Sequence, residues 1–102
     1  MMTEEQIKEQ IKKQVTDPEI GINVVDLGLI YDIKIKEDKV IIKMTLTSPG
    51  CPYGEKIVRD VKSLVESSVD LLVEVELVWD PPWSKDKMSQ VARDHLMFFG
   101  TS

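Results

Sequence analysis

Cys51 dominates the chemistry this sequence can perform: it is the single cysteine of 102 residues and lies within Ser48-Pro49-Gly50-Cys51-Pro52-Tyr53-Gly54. Free cysteine usually packs as a small hydrophobe, and composition alone favours that role. Its position argues for function. Pro49-Gly50 and Pro52 put the thiol in a loop at the start of a helix, where unpaired amide N–H groups and the positive helix end favour thiolate, the form that attacks electrophiles and binds metals. A dithiol oxidoreductase is excluded, because the chain has no Cys-x-x-Cys. A complete metal site is also out of reach, with one cysteine and one histidine, His95. A metal or cluster held by Cys51 would take its remaining ligands from a second copy, a partner protein or a small thiol. Two copies meeting as a homodimer would offer two thiolates.

The other reactive groups have simpler readings beside their functional ones. Asp80-Pro81-Pro82-Trp83 is a rigid strand-to-helix stop that can also supply a carboxylate and an indole to a site wall. Asp26 near the thiol would oppose thiolate formation unless it serves as a hydrogen-bonding or ligand group. His95 sits among Met88, Val91, Leu96 and Phe99 and reads as a packed or hydrogen-bonded histidine; a Cys-His dyad would need its helix to fold back over the site. Asp17-Pro18-Glu19 reads as a turn, and Gly50 with Gly54 makes no phosphate loop, because no Gly-Lys-Ser/Thr follows. Lysines 34, 36, 39 and 43 form a solvated hairpin face.

The elements that must position these groups follow from periodicity. Thr3 with Gln6 makes a capping box for a first helix whose Ile7, Ile11 and Val15 share a face, and Pro18 ends it. Residues 19–26 read as a loop. Alternation from Leu29 through Ile35, then from Val40 through Leu46, gives two strands joined at Glu37-Asp38. Their pairs are Ile35/Val40, Ile33/Ile42, Tyr31/Met44 and Leu29/Leu46. A second helix is expected from Pro52 with Cys51 at its cap, carrying Ile57, Val58, Val61, Leu64 and Val65 inward. A third strand runs from about Leu71 to Trp79 with Val73, Val75, Leu77 and Trp79 on one face. Ser84 then caps a last helix with Met88, Val91, Ala92, His95, Leu96 and Phe99 on one side, and Gly100 ends it.

The order α-β-β-α-β-α defines an α/β chain of the two-layer α+β kind, a small mixed three-stranded sheet with helices packed on it. Strands two and three run parallel through the helical crossover. Cys51, Asp80 and the stretch Asp26–Gly28 then converge on one sheet edge, and extending the hairpin register brings Asp26 opposite Pro49. That edge, beyond the carboxyl ends of parallel strands, is where open α/β sheets bind ligands.

Length and composition bound the rest. The chain is long enough for one domain over residues 1–102, with 42% apolar residues to build its core. Thirteen basic against eighteen acidic residues give a net charge of -5, the wrong sign for binding nucleic acid or an anionic membrane. The lone thiol and the lack of a leader or long apolar run fit a reducing cytoplasm.

Four ordered motifs carry a resemblance: Asp17-Pro18-Glu19, Asp26-Leu27-Gly28-Leu29-Ile30-Tyr31, Thr45-Leu46-Thr47-Ser48-Pro49-Gly50-Cys51-Pro52, and Val78-Trp79-Asp80-Pro81-Pro82-Trp83 followed by Met88. Together they resemble the SufT and PaaD-like iron-sulfur cluster assembly domains, whose eukaryotic relatives belong to the cytosolic iron-sulfur targeting complex. The resemblance implies a compact α/β fold and a non-catalytic role in maturing iron-sulfur proteins. Cys51 matches the family's reactive cysteine, and Asp26 and Asp80 match its acidic positions. The chain ends at Phe98-Phe99-Gly100-Thr101-Ser102 without the cysteine-rich tail of the phenylacetate-pathway members, and it lacks a fused ATPase-type domain. The resemblance thus implies a free-standing accessory factor in cluster assembly or delivery. Cys51 would transiently bind iron, a cluster or a client, with no permanently bound cofactor, and the partners would be assembly proteins or apo-protein clients. Pro49, Gly50, Pro82 and Trp83 are the expected partner-binding residues. Two rival roles are a metal-free adaptor docking apo-proteins through the loop edge, and a thiol nucleophile in sulfur or acyl transfer.

Overall fold

In the computed structural model, residues 3–18, 20–47 and 53–95 are described. Helix α1 spans Glu4–Gln14 and opens on the expected capping box: the Thr3 hydroxyl accepts from the Gln6 amide, and the Gln6 side chain accepts from the Thr3 amide. Ile7, Ile11 and Val15 are buried as one stripe. The chain then makes a narrow ladder rather than a plain loop. Thr16 bridges Asn23 antiparallel, the Val24 amide donates to the Val15 carbonyl, and Gly21 turns the chain at φ 80°.

Strands β1 (Ile30–Ile35) and β2 (Lys39–Met44) pair antiparallel, and β2 pairs in parallel with β3 (Leu72–Leu77) across helix α2 (Gly54–Ser68). The sheet order is β1-β2-β3, so β1 and β3 are its edges. The Lys36 amide donates to the Lys39 carbonyl and closes the Glu37-Asp38 turn at two residues. One inward face carries Ile33, Val40, Ile42, Met44 and Val73, packed with Ile57, Val61 and Val65 of α2 and with the α1 stripe. This places both helices on one side of the sheet. The order α-β-β-α-β-α and the mixed sheet stand as the sequence implies.

Three local expectations are corrected. The hairpin register holds at Ile35/Val40 and Ile33/Ile42, then shifts: Ile30 takes the place opposite Met44 expected for Tyr31, and the Leu29 carbonyl accepts from Thr45. Tyr31 is therefore the extra residue of a bulge, and it leaves the core face. Residues 24–28 are turns and not an extension of β1, and the expected placing of Asp26 opposite Pro49 lies outside the described residues. Helix α2 begins at Gly54 with Tyr53 as its cap, two residues later than expected. The last helix is broken: a 3-10 turn at Lys85–Lys87 follows Ser84, and α3 (Gln90–His95) starts afresh with the Ser89 hydroxyl accepting from the Ala92 amide. Met88 and Ala92 are buried, but Val91 points outward at 68% exposure. The expected packing of His95, Leu96 and Phe99, and the Gly100 stop, lie outside what the described residues cover.

Candidate functional site

The loop edge is built by the segment that leaves β3. From Asp80 the chain crosses the end of the sheet from one edge strand to the other, a span of about 10 Å over two strand spacings, and its contacts with the first strand region hold it there. The Tyr31 hydroxyl donates to the Pro81 carbonyl at 2.8 Å, and the Trp83 indole N–H donates to the Leu27 carbonyl at 2.7 Å. The Ser89 amide donates to the Asp26 carbonyl at 2.8 Å, and the Lys87 ammonium lies 5.0 Å from the centre of the Tyr31 ring. Residues 81–89 thus form a strap against residues 26–31.

Gly28 makes this closeness possible. Its φ of 81° disfavours any L side chain, and an added Cβ would collide with the Lys87 carbonyl. The bulge supplies the other half of the fit, because it turns Tyr31 out to reach Pro81. Desolvation holds the Tyr31 phenol above its ordinary pKa of 10.0, so the hydroxyl stays protonated and can donate.

Asp26 is buried and its carboxylate is engaged. It accepts from the Asn23 side-chain amide at 2.7 Å and lies 3.9 Å from the Lys12 ammonium, and its own amide donates to the Asn23 side-chain oxygen. Asp80, in contrast, is exposed. The strap therefore brings the Asp26–Gly28 backbone to the loop edge, while the Asp26 side chain locks the turn to α1. Asn23 and Lys12 were not among the expected site residues. The Asn23-x-x-Asp26 spacing, at which an asparagine side chain can cap the amide three residues on, was the available signal for Asn23.

The Trp83 indole is half-buried against the core through its bond to Leu27, and Pro82 is exposed. The exposed tryptophan is Trp79, at 42%, with Leu77 also at 42%. Both were expected to face one way from β3 together with Val73 and Val75. They lie at and just past the end of this edge strand, Leu72–Leu77. Cys51, Pro49 and Gly50 lie outside the described residues. Among the described residues no group of three or more His, Cys, Asp or Glu side chains could hold a metal ion, and no helix is long and apolar enough to cross a membrane.

The fold and the strapped loop edge define a class: a small α+β domain whose parallel strands end under a crossing segment. The model of the family described as iron-sulfur cluster assembly protein matches residues 4–77. An Fe-S protein maturation auxiliary factor of Bacillus subtilis, YitW, is 46% identical over 95 residues, covering 88% of this chain and 93% of that protein. The Fe-S protein maturation auxiliary factor SufT of Staphylococcus aureus is 44% identical over 81 residues, covering 78% of this chain and 92% of its own length. The crystal structure of a domain of unknown function from Bacillus anthracis matches with a TM-score of 0.86 at 41% identity, over 92% of this chain and 91% of that one. The chain belongs to the iron-sulfur cluster assembly protein family.

Proposed function

We propose that this protein is an accessory factor in iron-sulfur cluster assembly or delivery, with Cys51 binding iron or a cluster as cargo during handover to an apo-protein. The observation that carries the reading is the likeness, over 78–88% of this chain and more than nine-tenths of theirs, to proteins named Fe-S protein maturation auxiliary factors. The strapped loop edge adds physical support. Its backbone is pinned by hydrogen bonds through Tyr31, Trp83 and Ser89. Asp80 is the exposed carboxylate of that edge and the second candidate ligand. Asp26 accepts from Asn23 through Oδ2 and holds the turn, and only its Oδ1, 3.9 Å from the Lys12 ammonium, is left to ligate. The remaining ligands would come from another molecule, a partner assembly protein, a client or a second copy. The domain would act in the cytoplasm as a single unit over residues 1–102.

Anaerobic reconstitution with ferrous iron and sulfide tests the ligand role. Cys51→Ala is expected to lose most of the iron and sulfide taken up by the wild type, with the fold unchanged by circular dichroism. Equal uptake would remove Cys51 as a ligand. The exposed Leu77 and Trp79 favour a second reading, a metal-free adaptor that docks clients through this edge. Client capture that survives Cys51→Ala would support it.

A further inference from the structure

Among the described residues, strand β3 bonds to β2 on one side only. The Leu72 amide donates to the Asp38 carbonyl and the Val78 amide to the Met44 carbonyl, both toward β2. Parallel ladders alternate, so the even residues of β3 face β2, and the N–H and C=O groups of Val73, Val75 and Leu77 point to the open edge. No hydrogen bond among the described residues reaches those groups from outside the ladder. The two faces of the edge differ in chemistry. The helix-side face rises from buried Val73 through half-buried Val75 to exposed Leu77 and Trp79, an apolar row that gains exposure toward the loop end. The opposite face carries Leu72, 72% exposed at the start of the strand, followed by the exposed Glu74 and Glu76 toward the loop end. Of these two glutamates, only Glu74 makes an ion pair among the described residues, with Lys39 at 3.6 Å, and its side chain remains 53% exposed.

We propose that the open edge of β3 is a docking site for an extended segment of a partner protein that alternates basic and apolar residues and adds as a fourth strand. The backbone row supplies main-chain hydrogen bonds, Leu77 and Trp79 receive the apolar side chains, and Glu74 with Glu76 face the Lys or Arg side chains. The same pattern disfavours a second copy. In antiparallel self-pairings centred on Glu74, Val75 or Glu76, which keep the apolar residues on one face, a glutamate falls opposite Glu74 or Glu76, and like charges directly opposed repel. The docking does not depend on Cys51, so its failure and the failure of the cargo reading are separable.

The probe is a synthetic eight-residue peptide alternating lysine and valine, acetylated and amidated, titrated into the full chain and into Cys51→Ala at low salt. Amide hydrogen exchange read by NMR is expected to slow at Val73, Val75 and Leu77 in both proteins, while Leu72, Glu74 and Glu76 are already protected. A glutamate-valine peptide is expected to bind at least tenfold more weakly. Glu74→Lys with Glu76→Lys is expected to weaken the lysine peptide about tenfold and reverse the preference. Equal binding of the two peptides, protection confined to other residues, or an unaltered preference in the double variant would overturn the proposal. So would a concentration-dependent dimer protecting the same amides without peptide, which would make the occupant a second copy.

Discussion

At the residue scale, the strap depends on atoms that cannot be exchanged freely. Gly28→Ala forces a side chain into the left-handed region and into the Lys87 carbonyl, and the two effects together should cost about 2–4 kcal/mol in urea unfolding. A loss below about 1 kcal/mol would mean that the strap yields easily. Tyr31 gives a pH-dependent test. Its hydroxyl donates to Pro81, so Tyr31→Phe should cost about 0.5–1 kcal/mol at neutral pH. Because burial raises the folded pKa, that stability is fully present below the phenol's ordinary pKa and is lost as pH rises through the raised value. Unfolding free energies of wild type and Tyr31→Phe, measured from neutral pH upward, should therefore converge at high pH. A gap that stays constant would contradict the assigned bond.

At the element scale, the sequence was legible wherever polar and apolar residues alternate without ambiguity. Ile33, Ile35, Val40 and Ile42 exclude a one-residue slip, the two-residue turn at Glu37-Asp38 selects Ile35 opposite Val40 among the rest, and the structure has that register. Leu29-Ile30-Tyr31 is three apolar residues in a row, so pattern alone could not place a bulge there, and the bulge decides where Tyr31 points. The last helix shows the same limit. Met88, Val91 and Ala92 fit one helical face on paper, but the break before Gln90 and the fresh cap at Ser89 rotate Val91 outward. Val91→Lys is therefore expected to change stability by less than about 0.5 kcal/mol. Ser89→Ala should lose about 1 kcal/mol through the lost cap. A large loss from Val91→Lys would restore the unbroken helix.

At the scale of the whole molecule, the candidate site was legible as a convergence but not as a set of side-chain roles. Topology required that Asp26–Gly28 and the segment after β3 meet at one edge, and Ser89, Trp83 and Tyr31 bond across that meeting. Periodicity carries no information about which polar group satisfies which. It could not tell that the Asp26 carboxylate turns to Asn23 and Lys12, or that Trp83 packs inward while Trp79 is the more exposed indole. Alternation put Val73, Val75, Leu77 and Trp79 on one face of β3 but carried no information on how far along the strand that face is covered. Val73 is buried, and Leu77 and Trp79 are exposed.

The account stands or falls on cargo transfer through Cys51. The direct measurement is the rate at which anaerobically loaded protein restores the cluster of an apo-ferredoxin, followed by circular dichroism against free iron and sulfide at equal concentration. Wild type is expected to transfer faster than the free components, and Cys51→Ala no faster than they do. A Cys51→Ala protein that matures the ferredoxin as fast as wild type would contradict the account.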